Sequence, residues 1–228
     1  HRLDKVTHSY YYGGAVNTIR TLNRNLDLNI KEYVKVNWYS VADFVDSMGG
    51  LTINVKDYEV SEINKYIKDT NKTLEGDTTK LTTSGKQVLN GVQAVTYCRI
   101  RKVSNGDYER TQRMRNTVKA AFTKAKTMKI KELIGVMDKT LPEVTTSIDA
   151  KSMVWMLYDA TKYKMEKGSG WPYKTAGVIV DGVWYGPPVN LASNVTKLHE
   201  KIFQQSDYKP TDRVQSISDD IILKTGVQ

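Results

Sequence analysis

The sequence predicts an α/β protein whose helices and strands form layers in one domain. Hydrophobic residues make up 39% and charged residues 26% of the 228 residues, a balance typical of a globular chain that buries a sizeable core. Segments with two-residue apolar alternation are interspersed with segments in which apolar residues recur three and four positions apart. We therefore expect a central mixed sheet flanked by helices.

The first eighty residues predict helices, strands and one polar surface excursion. Gly13-Gly14 is the expected turn before the first helix, and Ser40 is the expected cap of the second. Leu51, Ile53 and Val55 alternate with polar residues, as on a strand. The predicted helices cover 15–26 and 40–50, the predicted strands 32–40 and 51–60, and the excursion 61–80.

The rest of the chain predicts mainly helices and one hairpin. Asn90-Gly91 indicates a turn or short helix within 83–101, which is expected to begin as a helix and end as a strand. Asp181-Gly182 joins two apolar runs and predicts a hairpin over 176–186. One predicted helix is long and has Asp107 as its N-cap. Further predicted helices cover 130–141, 149–164 and 190–204, and the C-terminus is expected to be loosely packed.

Charge and cysteine content restrict the classes of function. The net charge of +9 favours anionic partners, and on charge alone nucleic acid ranks ahead of acidic membranes and phosphate-rich polymers. Cys98 is the single cysteine, which excludes an internal disulfide and a cysteine-based zinc site; we expect it in the core. No apolar run approaches the ~18–20 residues of a membrane-spanning helix, which leaves open an anchor upstream.

Five arginines lie within the nineteen residues "YCRIRKVSNGDYERTQRMR", residues 97–115. On the predicted strand, Arg99 and Arg101 share one face about 7 Å apart. Arg110 lies in the first turn of the next predicted helix, whose N-terminus favours anions. Two interpretations stay open: a phosphate or diphosphate site, or a solvated basic surface with arginines paired to Asp107 and Glu109.

Several motifs resemble a known family. The segment "THSYYYGGAVNTIRTLNRNL", the segment "EYVKVNWYSVADFVDSMGGLTINV", then "LNGVQAVTYCRIR" and "GDYERTQR" occur in the order found in LytR–CpsA–Psr proteins of Gram-positive cell envelopes. The resemblance spans about residues 3–126, and "SNVTKLHEKIFQQSDYKP" is similar to the tail of clostridial members. The sequence is thereby identified as a member of this family.

The resemblance implies a membrane-anchored phosphotransferase on the extracytoplasmic face of the cell membrane. Such enzymes move an anionic glycopolymer, wall teichoic acid or capsule, from an undecaprenyl diphosphate carrier to peptidoglycan and release undecaprenyl phosphate. The expected partners are therefore the lipid-linked polymer, peptidoglycan and the membrane, and not nucleic acid. The rival interpretation is a non-catalytic module that binds polyanions or nucleic acid through the same basic cluster.

The resemblance also implies roles for individual residues. Arg99 and Arg101 match the family's RxR motif and Arg110 its GDxxR motif, so these three are expected to bind the diphosphate and to be catalytic. Arg113 is expected to add to diphosphate binding, while Gly106 and Asp107 shape the site. The expected contributors to a lipid tunnel are Val36, Phe44 and Val45.

Two departures from the family pattern limit these expectations. Met114 follows Arg113 where the family usually has glutamine. The family's aspartate-containing segments, which bind Mg²⁺, precede the first motif found in this sequence, so no metal ligand is expected on this chain and its site is expected to be incomplete or inactive alone. Residues 1–145 would form the catalytic part, and 146–228 the C-terminal part, of one domain.

Overall fold

A computed structural model describes residues 3–101, 107–159, 162–166 and 168–228. The predicted mixture of helices and strands is confirmed, with helices predominating. The helices are α1 (His8–Leu26), α2 (Trp38–Ser47), α3 (Asp57–Leu74), α4 (Gly91–Arg99), α5 (Asp107–Ala125), α6 (Ile130–Thr140), α7 (Ala150–Tyr158), α8 (Leu191–Phe203) and α9 (Asp212–Thr225). The strands are β1 (Val34–Lys35), β2 (Leu51–Val55), β3 (Gly85–Leu89), β4 (Thr145–Thr146), β5 (Val178–Val180) and β6 (Val183–Tyr185).

Within these residues the strands pair only in twos, as β1–β4, β2–β3 and β5–β6, and every pair is antiparallel. The expected central mixed sheet is thus not assembled by the described strands. The chain forms two compact units, one combining His1–Tyr33 with Ser169–Gln228 and the other comprising Val34–Gly168. The predicted division at residue 145 concerns the family's domain and stays a prediction. None of the helices described is long and apolar enough to cross a membrane.

The core of the Val34–Gly168 unit is built on β2. Leu51, Ile53 and Val55 are buried while the residues between them are exposed, as their alternation predicts. Strand β3 pairs with β2 in the register Leu51↔Leu89. Helices α3, α4 and α5 pack around this pair, so β2 lies at the centre of the unit.

Strand β2 is shorter than predicted, and the expected polar excursion over 61–80 is wrong. Helix α3 begins at Asp57, where Glu59 accepts a hydrogen bond from the Lys56 backbone at 3.0 Å. Ile63 and Ile67, one helical turn apart, are buried on its inner face. The polar residues of this segment cover only the outer face, so its overall polarity did not indicate a helix.

The order predicted for 83–101 is also wrong, because the strand precedes the helix. Asn90 caps α4 by accepting from the Gln93 backbone at 3.0 Å, while Gln93 accepts from the Asn90 backbone at 3.1 Å. A Cβ atom at Gly91 would collide with the carbonyl oxygen of Ala42, so glycine permits the close approach of α4 to α2. Seven of the nine α4 residues are buried, which removes the helical periodicity from the sequence.

The segment before β2 also departs from prediction. Asn37, rather than Ser40, is the N-cap of α2, and Ser40 completes a capping box by accepting from the Asn37 backbone at 2.9 Å. The predicted strand over 32–40 is reduced to Val34–Lys35, which pairs with β4. Farther along, helices α5 and α6 are confirmed, with Asp107 as the first residue of α5, and α7 ends earlier than predicted, at Tyr158.

The other unit contains α1, α8, α9 and the β5–β6 hairpin. Gly13 and Gly14 have non-helical backbone angles inside α1, so the predicted turn is a kink within this helix. The predicted hairpin is confirmed, with Asp181 and Gly182 at φ values of 50° and 75° as a type I′ turn requires. The predicted loose C-terminus is wrong, because α9 buries Val214 against α8 and α1.

Two polar groups lock this unit. Asn194 accepts from the Tyr173 backbone at 2.8 Å and donates to the Val189 carbonyl at 2.8 Å, tying two chain segments to α8. Tyr208 stacks on His199 with ring centroids 3.7 Å apart and donates its hydroxyl to Asp27 at 3.0 Å. Burial first, then the hydrogen bond and negative charge of Asp27, raises the pKa of Tyr208 to about 12.

Replacing Asn194 by alanine should lower the free energy of unfolding by about 2–3 kcal/mol, because buried backbone groups lose their partners. Urea unfolding followed by circular dichroism measures the change. Asn25→Ala is the matched control, since Asn25 donates to the Thr21 carbonyl of its own helix at 2.8 Å, and should change stability by less than about 0.5 kcal/mol. Equal losses in the two variants would contradict the role assigned to Asn194.

The stabilising effect of Tyr208 should disappear at alkaline pH. The folded phenol holds its proton more tightly than the unfolded one, so its contribution is complete below about pH 10 and is lost as the pH rises through about 12. The difference in unfolding free energy between the wild type and Tyr208→Phe should therefore shrink between pH 9 and pH 11.5 in urea titrations. A difference that stays constant across this range would rule out the raised pKa.

Candidate functional site

Arg101 and Arg110 meet at Asp107, where α5 begins. The Nε atom of Arg101 lies 3.4 Å and the Nη2 atom of Arg110 lies 3.3 Å from the same carboxylate oxygen, Asp107 Oδ1. Arg101 is 61% exposed, so an approaching anion can reach its guanidinium group. One carboxylate does not balance two guanidinium groups, and the first turn of α5 adds its positive dipole end.

Arg99 lies at the last position of α4, not on a strand, so the predicted shared strand face with Arg101 is wrong. Its Nη1 atom approaches Thr70 Oγ1 on α3 at 3.5 Å, and the residue is exposed. The structure therefore joins Arg101 and Arg110 through Asp107, whereas Arg99, just before Ile100, points to α3 at Thr70. Gly106, the other predicted shaping residue, lies outside the described residues.

Arg113 is a buried connector between three elements. Its Nη2 atom donates to the Ile100 carbonyl at 2.7 Å, and its Nη1 atom lies 3.4 Å from Glu59 and 3.3 Å from Glu109. The side chains of Arg113 and Glu59 are only 2% and 3% exposed. We call this group the Glu59–Arg113 brace. Because Ile100 separates Arg99 from Arg101, the brace fixes the backbone that presents both arginines.

This burial departs from the expectation that Arg113 binds diphosphate. The guanidinium already bonds inside the fold, and a ligand would have to break a buried ion pair to reach it. In the observed arrangement Arg113 holds the Ile100 backbone, and its contact with diphosphate stays a prediction. Glu59, its buried partner, was not singled out from the sequence, although its place three residues after Lys56 at a helix start was a visible signal.

Two other potentially reactive groups beside the brace are held neutral. Burial raises the pKa of the Tyr97 hydroxyl, which accepts a hydrogen bond from Asn116 at 3.1 Å. Burial likewise raises the pKa of the Cys98 thiol, which contacts Thr117 Oγ1 at 3.2 Å. The predicted core position of Cys98 is confirmed, and a buried thiol with a raised pKa is not an active nucleophile.

A groove of about 800 Å³ lies between β2 and α5, beside the brace. Ile53, Tyr97 and Ala120 contribute apolar surface, and Glu59, Glu109 and Arg113 line it from the brace. Its basic lining comes from Lys56, Lys86, Lys119 and Lys124. The sequence did not predict this groove, because its lysines come from three separate segments.

The residues proposed for a lipid tunnel occupy different environments. Val45 is buried in the core, and Phe44 packs partly buried against that core. Val36 is 54% exposed. None of the three lines the groove between β2 and α5, so their joint role in lipid binding stays a prediction.

The acidic residues near the arginines do not fit a divalent cation. Asp107 faces Arg101 and Arg110, while Glu59 and Glu109 share Arg113, so each carboxylate already has a guanidinium partner. In the part of the chain that the structure describes, no three histidine, cysteine, aspartate or glutamate side chains are grouped to hold a metal ion. These three carboxylates therefore face arginines, and the expectation that the magnesium ligands lie elsewhere stays a prediction.

Comparison with known proteins identifies the family. The LytR_cpsA_psr family profile matches residues 1–201, and the chain belongs to this family. It is 28% identical over 189 residues to the polyisoprenyl-teichoic acid–peptidoglycan teichoic acid transferase TagU of Bacillus licheniformis, covering 81% of this chain and 55% of TagU. The chain thus spans little more than half the length of that relative.

Solved structures share the fold. A protein of Enterococcus faecalis described as a transcriptional regulator matches with a TM-score of 0.70 and 20% identity, over 98% of this chain and 77% of that one. A structure of TagT bound to LI-WTA matches with a TM-score of 0.59 and 22% identity, over 100% of this chain and 73% of that one. At these identities the likeness establishes the fold alone.

Breaking the brace should lower the unfolding free energy by more than the loss of a helix cap does. Glu59→Ala leaves Arg113 partly unpaired and should lower the unfolding free energy by about 3–5 kcal/mol. Glu132→Ala is the matched control, because Glu132 caps α6 from an equivalent position by accepting from the Lys129 backbone at 2.8 Å, but on the surface. It should cost about 0.5–2 kcal/mol.

A double-mutant cycle with Arg113→Met completes this test. The double variant should lose less stability than the sum of the single variants, because each single change leaves one buried charge without its partner. Chemical denaturation of the four proteins provides the measurement. Strict additivity would show that Glu59 and Arg113 do not interact energetically.

Proposed function

We propose that this chain forms part of a phosphotransferase that moves an anionic glycopolymer from an undecaprenyl diphosphate carrier to peptidoglycan. The observation on which this rests is the meeting of Arg101 and Arg110 at the start of α5, next to the backbone that the Glu59–Arg113 brace holds. Membership of the LytR–CpsA–Psr family and the names of the teichoic acid transferases to which the chain is similar support it.

The proposed chemistry suits guanidinium groups. A sugar hydroxyl of the acceptor attacks the phosphorus on the polymer side, and undecaprenyl phosphate leaves. Negative charge develops on the transferring phosphoryl group and on the departing phosphate, and arginine side chains bind such oxygens in pairs and stay charged. Arg99, Arg101 and Arg110 would supply this stabilisation, which is the main requirement of phosphoryl transfer.

Asp107 would organise the arginines rather than react. A carboxylate between two guanidinium groups offsets their mutual repulsion and orients them toward the same point. Its exposure allows a phosphate group to compete for the arginines when substrate arrives. The structural role predicted for Asp107 is consistent with this arrangement.

The wider setting follows from the same proposal. The protein would act at the extracytoplasmic face of the membrane of a Gram-positive cell, held there by an anchor outside this sequence, with wall teichoic acid or capsule as cargo. The family resemblance implies magnesium, whose ligands are expected on residues outside this sequence. The names of the teichoic acid transferases to which the chain is similar support this choice of cargo.

The test is transfer from a prenyl diphosphate-linked glycopolymer to peptidoglycan oligomers, assayed by release of prenyl phosphate. The chain extended upstream should be active, and the 228-residue chain should show little or no turnover. Arg99→Ala, Arg101→Ala and Arg110→Ala should each reduce kcat of the extended form by about 10²–10³, as expected for lost oxyanion stabilisation. Arg115→Ala, on the same helix and bonded to Gln112 at 2.7 Å, is the control and should retain activity.

Two results would overturn the proposal. If the arginine variants retain full transfer, these side chains do not stabilise the reacting phosphate. If the extended form binds DNA as tightly as prenyl diphosphate and turns over neither, the basic cluster is a non-catalytic polyanion site, which is the rival function predicted from the charge of +9.

A further inference from the structure

The groove between β2 and α5 follows one face of α5 along most of the helix. Its lining residues from this helix recur three and four positions apart, as Glu109, Gln112, Arg113, Asn116, Lys119, Ala120, Thr123 and Lys124. From the first turn to the last, this face is about 22 Å long, given a rise of about 1.5 Å per residue. The shape therefore fits an extended ligand.

The lining is rich in hydroxyl and amide groups. Thr52 and Asn54 are exposed on the outer face of β2, and among the described residues neither side chain has a hydrogen-bond partner. Gln112, Asn116 and Thr123 face them from α5. Such side chains bind sugar and polyol hydroxyl groups, whereas a prenyl chain or an apolar protein segment would bury them without partners.

The groove keeps a positive excess when every carboxylate of its lining is counted. Five basic side chains line it against two acidic ones, namely Lys56, Lys86, Lys119, Lys124 and Arg113 against Glu59 and Glu109, a formal excess of three positive charges. Asp57, which begins α3 beside this lining, would reduce the excess to two. Both lining carboxylates contact Arg113, and in the described part of the chain Lys86, Lys119 and Lys124 have no carboxylate within ion-pairing distance.

We propose that the groove between β2 and α5 binds the phosphodiester chain of the anionic glycopolymer, with Lys86, Lys119 and Lys124 contacting its phosphates. The identity of the polymer rests on the proposed function, whereas the polyanion site rests on this groove alone. Lysine is a flexible point charge and tolerates the variable spacing of phosphates along a polymer. The groove begins at Glu109, one residue before Arg110, so the polymer would continue along α5 from the arginines proposed for its diphosphate end.

Binding of a lipid-free poly(glycerol phosphate) oligomer, measured by calorimetry on the 228-residue chain, tests the proposal. The triple variant Lys86→Gln/Lys119→Gln/Lys124→Gln should raise the Kd about tenfold, the loss expected for three exposed lysine–phosphate contacts. The matched control removes equal charge from exposed positions of the same unit that do not line the groove, as Lys68→Gln/Lys80→Gln/Lys151→Gln. It should change the Kd by no more than about twofold.

Equal weakening by both triple variants would overturn the proposal, since bulk charge would then explain binding. The same holds if duplex DNA of equal phosphate number competes as well as the oligomer, or if the groove variant loses binding only to phosphatidylglycerol vesicles. The chain extended upstream should show the same tenfold loss. If the groove variant has no effect there, a segment of the protein itself occupies the groove and the proposal is wrong.

The binding measurement is separate from the transfer assay. Arg99→Ala/Arg101→Ala, which changes the arginines proposed for the diphosphate, should leave oligomer binding within about twofold of the wild type. If oligomer binding depends on the groove lysines while the extended form transfers nothing, the polymer site stands and the proposed reaction fails. If transfer proceeds but the groove variant binds the oligomer normally, the reaction stands and the polymer site fails.

Discussion

The buried pairing of Arg113 with Glu59 is the interaction on which the candidate site depends. Arg113 extends from α5 to the Ile100 carbonyl, and Glu59 closes the start of α3 while facing the same guanidinium. Three elements and the backbone between Arg99 and Arg101 therefore share one charged group. A buried charge without its partner is costly, so this arrangement also restricts how the surrounding segments can move.

The same residue types perform opposite tasks depending on burial. Arg113 has its charge matched inside the fold, whereas Arg101 and Arg110 share one exposed carboxylate. Exposed ion pairs contribute little to stability, which leaves those guanidinium groups available to a stronger anion. In the unit containing α1 and α9 the carboxylate of Asp27 instead accepts hydrogen bonds from Tyr208 and Thr211, which fastens the end of α1 to the start of α9.

The charge of +9 divides among sites of different character. Lysines from separate segments line the groove beside β2, while arginines dominate the start of α5. Lysine is a mobile point charge and arginine a rigid fork, so the arginines at α5 are suited to defined phosphate geometry. Composition predicted an anionic partner, and the distribution of residue types points to phosphate.

Local patterns in the sequence were sufficient to predict the family, strand β2, the long helix α5 and the Asp181-Gly182 hairpin. Each of these features depends on residues that are close together in the sequence. The family motifs also singled out Arg99, Arg101 and Arg110. Tertiary structure alone decided that 83–101 runs from strand to helix, that α9 is packed, and that Arg113 is buried beside Glu59. Helix α4 is buried on nearly all sides and so has no periodicity to read, and Glu59 and Arg113 are 54 positions apart, a contact that only folding brings about.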